Sequence, residues 1–144
     1  MIALASDHAG YPLKEQVKEH LSSKGVKFID YGTDSTASVN YVDYAKKACN
    51  AVITGQCKKA ILLCGTGIGM SIAANKHKGI RAACASDSFS VRLTRMHNDA
   101  NVLCMGQRVV GAGLACDLAD LFIDTEFEGG RHAERVAAIM AIEE

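Results

Sequence analysis

Tryptophan is absent from this 144-residue chain, and aromatic residues make up only 6% of it. A core must therefore be built from Ala, Val, Ile and Leu, and a 49% share of hydrophobic residues suffices to form one. An excess of either charge is also missing. The 16 basic and 16 acidic side chains balance, and no run of Lys or Arg exceeds two residues. Nucleic-acid binding thus has no electrostatic footprint. No apolar stretch approaches the roughly 18 residues that a membrane span needs. The amino terminus, MIALASDHAG, has no basic region, so no signal peptide is expected. The cysteines, at 49, 57, 64, 84, 104 and 116, form no CxxC pair and show no zinc-type spacing with histidine. A cytoplasmic protein with reduced thiols is the expectation. Cys84 and Cys104 lie inside apolar runs and are expected to behave as small hydrophobes.

The length suits a single domain over 1–144, and strand and helix patterns alternate along it. Strands are expected at Met1–Ala5, Val26–Tyr31, Ala60–Cys64, Ile80–Ala85 and Asn101–Met105. Helical spacing joins Leu13, Val17, His20 and Leu21, with the only proline, Pro12, near the first turn and Gly25 as terminator. Further helices are expected over Tyr41–Ile53, after the glycine loop at Gly65–Gly69, over Asp87–His97 (capped by Ser86 or Asp87), over Ala112–Ile123, and from Arg131 onward. This alternation predicts an α/β fold: a three-layer, Rossmann-like, doubly wound sheet of five parallel strands, helices on both faces, and a C-terminal helix. Ligands of such sheets bind beyond the carboxyl ends of the strands. Three features fall there: Asp7-His8, Cys64–Gly69 and the turn at 86–88.

The densest signal is LLCGTGIGMSIAANK. An apolar strand ends at Cys64, then glycines alternate at 65, 67 and 69 before a helix. Such a turn lets backbone approach a ligand, and the helix N-terminus offers free N–H groups to an anion. A thiol in that field ionises more readily than a free one and suits a general base. The pattern is GxGxG, not GxGxxG, and lacks a convincing ribose-binding acid downstream, so a dinucleotide site is a poor fit. A purely structural turn and a buried, inert Cys64 remain open.

All six arginines lie at or after Arg81 and all ten lysines at or before Lys78, so planar, phosphate-matching forks are confined to the second half. Arg131 and Arg135 share one helix face and suit a phosphate, or are simply solvated or paired with Glu134 and Glu128. Arg108 follows the fifth strand. Asp7 and His8 read either as a cap and a surface histidine, or as ligands for a sugar hydroxyl and a phosphate. His97 reads either as a histidine facing its helix dipole or as a proton donor. Met96, Met105 and Met140 read as core fillers. Together these groups would meet the demands of aldose–ketose isomerisation of a sugar phosphate, without metal or nicotinamide.

On SDHAGYPLK, LLCGTGIGMSIAANK, GIRAA, RMHNDANVLCMGQRVVG and EGGRHAERV, the chain resembles the ribose-5-phosphate isomerase B family, which also contains galactose-6-phosphate isomerase subunits. The resemblance implies a cofactor-free enzyme acting through an enediolate, with Cys64 as base. Thr66 and the N–H groups of Gly65, Gly67, Ile68 and Gly69 would stabilise the enediolate. His97 would protonate the ring oxygen, with Asp7 as its partner group on the sugar. His8, Arg108, Arg131 and Arg135 would hold phosphate, and Asn98 sugar hydroxyls. A related branch uses a loop glutamate instead; Gly65–Ser71 holds none here. The family implies a homodimer or dimer of dimers, with His97, Asn98 and Arg108 facing a partner's Cys64. Val42 stands where relatives carry Pro, which leaves a ligand role for Tyr41 open. Other readings are an isomerase of galactose or allose 6-phosphate, a sugar-phosphate binding module without turnover, and a thiol redox sensor.

Overall fold

The computed structural model describes residues 1–144. Five parallel strands alternate with helices: β1 (Ile2–Ser6), α1 (Tyr11–Ser23), β2 (Phe28–Asp30), α2 (Tyr41–Ile53), β3 (Lys59–Cys64), α3 (Ile68–Asn75), β4 (Ala82–Cys84), α4 (Ser88–Asn98), β5 (Val102–Gly106) and α5 (Ala112–Asp124), with α6 (Arg131–Ala141) last. The sheet order is β2-β1-β3-β5-β4. The expected Rossmann-like, three-layer architecture holds. No helix is long and apolar enough to cross a membrane.

Strand alternation divides the core. Ile2, Leu4, Ile61, Leu63, Leu103 and Met105 meet α1, α4 and α5 on one face. Ala3, Ala5, Ala60, Leu62, Val102 and Cys104 meet α2 and α3 on the other. Small residues on the second face let the alanine-rich α2 come close. Met105 fills core as expected, whereas Met96 and Met140 are only half-buried. Cys104 is buried, but Cys84 is exposed, against expectation, because edge strand β4 has no neighbour beyond it.

Local chemistry sets the element ends. After α1, Gly25 takes φ 71°, Val26 N–H bonds Leu21 C=O at 3.0 Å and Gly25 N–H bonds Ser22 C=O at 3.1 Å. This is a Schellman closure. It takes Val26 out of the strand expected at Val26–Tyr31. Asn40 caps α2 through Val42 N–H, and Asp87, rather than Ser86, caps α4 through Ser90 N–H at 2.8 Å. β4 is shorter than Ile80–Ala85 because side chains take the leading backbone groups. Asn101 Oδ1 accepts from Arg81 N–H, and Asn75 Oδ1 from Ala82 N–H, each at 2.8 Å.

Lys14 is fully buried, an outcome that helical spacing did not anticipate. Its Nζ lies 2.6 and 2.8 Å from the two Asp30 oxygens, and Lys18 adds a contact at 2.7 Å. Burial opposes the charge on Asp30. The two lysines and Gly32 N–H outweigh it and hold the carboxyl below its ordinary range.

Candidate active site

β1 lies between β2 and β3, so the chain leaves it in both directions, and the crevice beyond β1 and β3 is a topological switch point. Cys64 closes β3 there and is buried. Gly67 N–H donates to its Sγ at 3.1 Å. Gly67 caps α3 with φ 81°, and a Cβ on it would lie 2.9 Å from the Met105 carbonyl carbon. Both facts call for glycine. Thr66 Oγ1 accepts from Ile68 N–H at 3.2 Å, which leaves its own O–H free to donate. The loop therefore uses two of the N–H groups expected to face an oxyanion, those of Gly67 and Ile68, for its own sulfur and hydroxyl. The open N–H groups of the first turn of α3 are those of Gly69 and Met70.

The β1 loop is stitched to this site. Asp7 N–H bonds Leu63 C=O, and Asp7 Oδ1 accepts from Gly10 N–H at 2.9 Å, which closes the turn before α1 beside the crevice; the N-cap of α1 itself is Gly10, with no side-chain cap. His8 Nδ1 accepts from Val39 N–H at 3.2 Å. In the neutral ring the proton then sits on Nε2, which can donate to an anion. Gln107 N–H bonds Cys64 C=O and Arg108 N–H bonds Gly65 C=O, bringing the end of β5 against the loop. A depression of about 240 Å³ beside it is lined by Thr66, Ile68, Cys84, Ser86 and Val109, so the 86–88 turn does adjoin the glycine loop. The Tyr41 ring rests on Gly69, where a Cβ would lie 2.7 Å from its Cζ.

The remaining expected residues lie at the opposite edge of the sheet. α4 runs back against the strands and delivers His97 and Asn98 to their amino ends, where Arg81 Nε, just before β4, bonds Asn98 C=O at 3.1 Å. The 11 residues of α4 span about 15 Å at 1.5 Å per residue. The His97 ring does not face its own helix carbonyls. It stacks on His132 at 4.1 Å between centroids, with planes 10° apart, and its Nε2 lies 3.8 Å from Glu128 Oε2. Arg131 and Arg135 flank His132 on α6, and both are exposed.

Ion pairing sorts the arginines. Arg81 and Arg95 both pair with Asp99. Arg108, Arg131 and Arg135 have no carboxylate within 4 Å. The pairing with Glu134 or Glu128 that was the plain alternative for Arg131 and Arg135 is therefore not made. Arg108, grouped by the resemblance with His97 and Asn98, lies against its own chain's Gly65; a Cβ there would meet its guanidinium at 3.4 Å.

One edge of the sheet thus holds a thiol, a hydroxyl and free N–H groups; the other holds an imidazole, an amide and two unpaired guanidinium groups. A family model described as Ribose/Galactose Isomerase matches residues 2–139. The chain belongs to the ribose/galactose isomerase family. It is 48% identical to ribose-5-phosphate isomerase B of Escherichia coli (strain K12), covering 99% of this chain and 96% of that one. The solved Clostridium thermocellum ribose-5-phosphate isomerase B superposes with a TM-score of 0.97 at 49% identity, covering 99% and 96%. The Mycoplasma genitalium ribose-5-phosphate isomerase B, solved with bound ribulose-5-phosphate, gives 0.93 at 39% identity, covering 99% and 95%. The resemblance read from the motifs is thereby established, and the chain is a sugar-phosphate isomerase.

Two neighbours of His97 in this ribose/galactose isomerase were not read from the sequence, although both stand in the segment EGGRHAERV that carried the resemblance: His132 and Glu128. With His97 they place three donor atoms within 4.8 Å. A metal must lie near the plane of each imidazole it binds. Rings stacked almost parallel cannot both aim at one ion, so this trio does not form a ready metal site.

Proposed function

We propose that this enzyme interconverts ribose 5-phosphate and ribulose 5-phosphate through an enediolate, with Cys64 as the base. The supporting observation is the glycine loop, which sets Cys64 Sγ, Thr66 O–H and the Gly69 and Met70 N–H groups around one crevice. The sugar ring opens as O1 passes its proton to the Asp7 carboxylate and the ring oxygen gains one from His97. The Cys64 thiolate takes the C2 proton. Charge develops on O1, where Thr66 and the free N–H groups donate. The thiol returns the proton to C1 as the O2 proton passes to O1, which leaves the ketose. Arg131, Arg135, His8 and Arg108 serve the phosphate, and Asn98 the hydroxyls.

A single chain separates these groups, so the reading requires two copies, with His97, Asn98, Arg131 and Arg135 lent to the other's Cys64. Two exposed apolar borders support this. Ile68 and Ile72 flank the cysteine loop, and Ile139 and Ile142 stand on or just beyond α6, which buries only His132. Six free thiols suit a cytoplasmic setting.

The test is proton NMR in D2O with ribose 5-phosphate, and separately with galactose and allose 6-phosphates, for wild type and Cys64→Ala. Ribulose 5-phosphate carrying deuterium, lost in the variant, is the expected result. Turnover of a six-carbon phosphate alone would move the substrate assignment. Binding without turnover of any sugar phosphate would leave a binding module.

A further inference from the structure

His132 is the only buried residue of α6, and it carries a full ring against His97. The approach is built. Gly129 and Gly130 take φ of 71° and 58° and swing the chain so that α6 enters with its second residue turned inward. Such φ values suit glycine and few other residues. His132 N–H bonds Gly129 C=O at 3.1 Å, and Glu128 N–H bonds Met96 C=O at 3.0 Å, which ties the turn to the last turn of α4. His97 is thereby held on two sides, its face against His132 and its Nε2 edge toward Glu128 at 3.8 Å. The groups around the pair are His97 itself on α4, Glu128 in the turn, and Arg131 and Arg135 on α6. Burial first, then His97 and the two arginines, hold the His132 imidazole below its ordinary range against the opposing pull of Glu128.

We infer that His132 is a positioning residue: an aromatic platform that fixes the plane of His97 and aims it at the sugar ring oxygen. This rests on the reading of His97 as the ring-opening acid. The His97 side chain is 37% exposed, so without the stack its ring would turn freely toward water. Misplacement of a reacting group by about 1 Å can cost on the order of 100-fold in rate. The His132 nitrogens need not take part, so a planar hydrocarbon ring should serve in their place.

The experiment compares wild type, His132→Ala and His132→Phe by melting temperature, kcat and KM on ribose 5-phosphate, and the NMR shifts of the His97 ring protons. His132→Ala should lower kcat roughly 10- to 100-fold with little change in KM, while His97 loses its ring-current shift. His132→Phe should recover most of both. Wild-type kcat in His132→Ala, or equal loss in both variants with the His97 shift restored in His132→Phe, would overturn the inference while leaving the function intact. No turnover of any sugar phosphate by the folded wild type would overturn the function, and the inference with it.

Discussion

Cys64 and His97 stand at opposite edges of one sheet, the first closing β3 and the second in the last turn of α4. A substrate cannot touch both within a single chain. If two copies complete each other's sites about a twofold axis, each site takes its cysteine from one chain and its histidine from the other. Cys64→Ala and His97→Ala proteins, each inactive alone, should then regain activity when unfolded together and refolded. Half of the random dimers are mixed, and each mixed dimer has one intact site, so about a quarter of wild-type activity is expected. No recovery, with mixed dimers demonstrated by mass, would place both residues in one chain's site and contradict the shared arrangement.

Arg131 and Arg135 lack acidic partners, whereas Arg81 and Arg95 share Asp99. Arg135→Ala should therefore raise KM for sugar phosphate strongly, by a loss on the order of 2–5 kcal/mol, while the melting temperature barely moves. Arg95→Ala should do the reverse, since its buried guanidinium also donates to the C=O groups of Ala100 and Thr125. Steady-state kinetics beside thermal melts separate the two classes.

Lys14 and Asp30 form a pair that is buried on the lysine side. Asp30→Asn leaves the ammonium without its main partner and should cost roughly 3–5 kcal/mol, read from urea unfolding near pH 7. The folded carboxyl titrates below its ordinary range, so its contribution is present above the unfolded pKa of about 3.9 and fades as pH falls through the lower folded value. The gap between wild type and Asp30→Asn should accordingly be widest near neutrality and narrow toward acid.

Much of this was legible in the sequence because the signals are local. The loop after β3 announces itself by Cys64 and three alternating glycines, and the end of α1 by Gly25. Helix α2 runs over the expected Tyr41–Ile53. What escaped depends on partners far along the chain. Lys14 is a poor core residue until Asp30 arrives from β2. His132 is one residue in a charged helix until Gly129 and Gly130 fold it onto His97. Likewise Arg108 joins the cysteine side only because β5 sits beside β3, with Cys64 opposite Gly106, and no periodicity encodes that strand order.

The same change at two glycines should have opposite effects. Gly106 ends β5 where a Cβ would lie 2.5 Å from the Cα and carbonyl carbon of Thr66. Backbone cannot yield as a flexible side chain can, so Gly106→Ala must push the Thr66–Gly67 segment off the strand. A stability cost of about 1–3 kcal/mol is expected. So is a fall in kcat, because Thr66 O–H and Cys64 Sγ move relative to each other. Gly113, in the first turn of α5, is exposed, and a Cβ there would meet nothing within 4 Å. Gly113→Ala should stabilise by roughly 0.5–1 kcal/mol through helix propensity alone and leave kcat unchanged. If Gly106→Ala kept wild-type kcat, the crevice would tolerate displacement of its hydroxyl, and the role given to Thr66 would have to pass to the Gly69 and Met70 N–H groups.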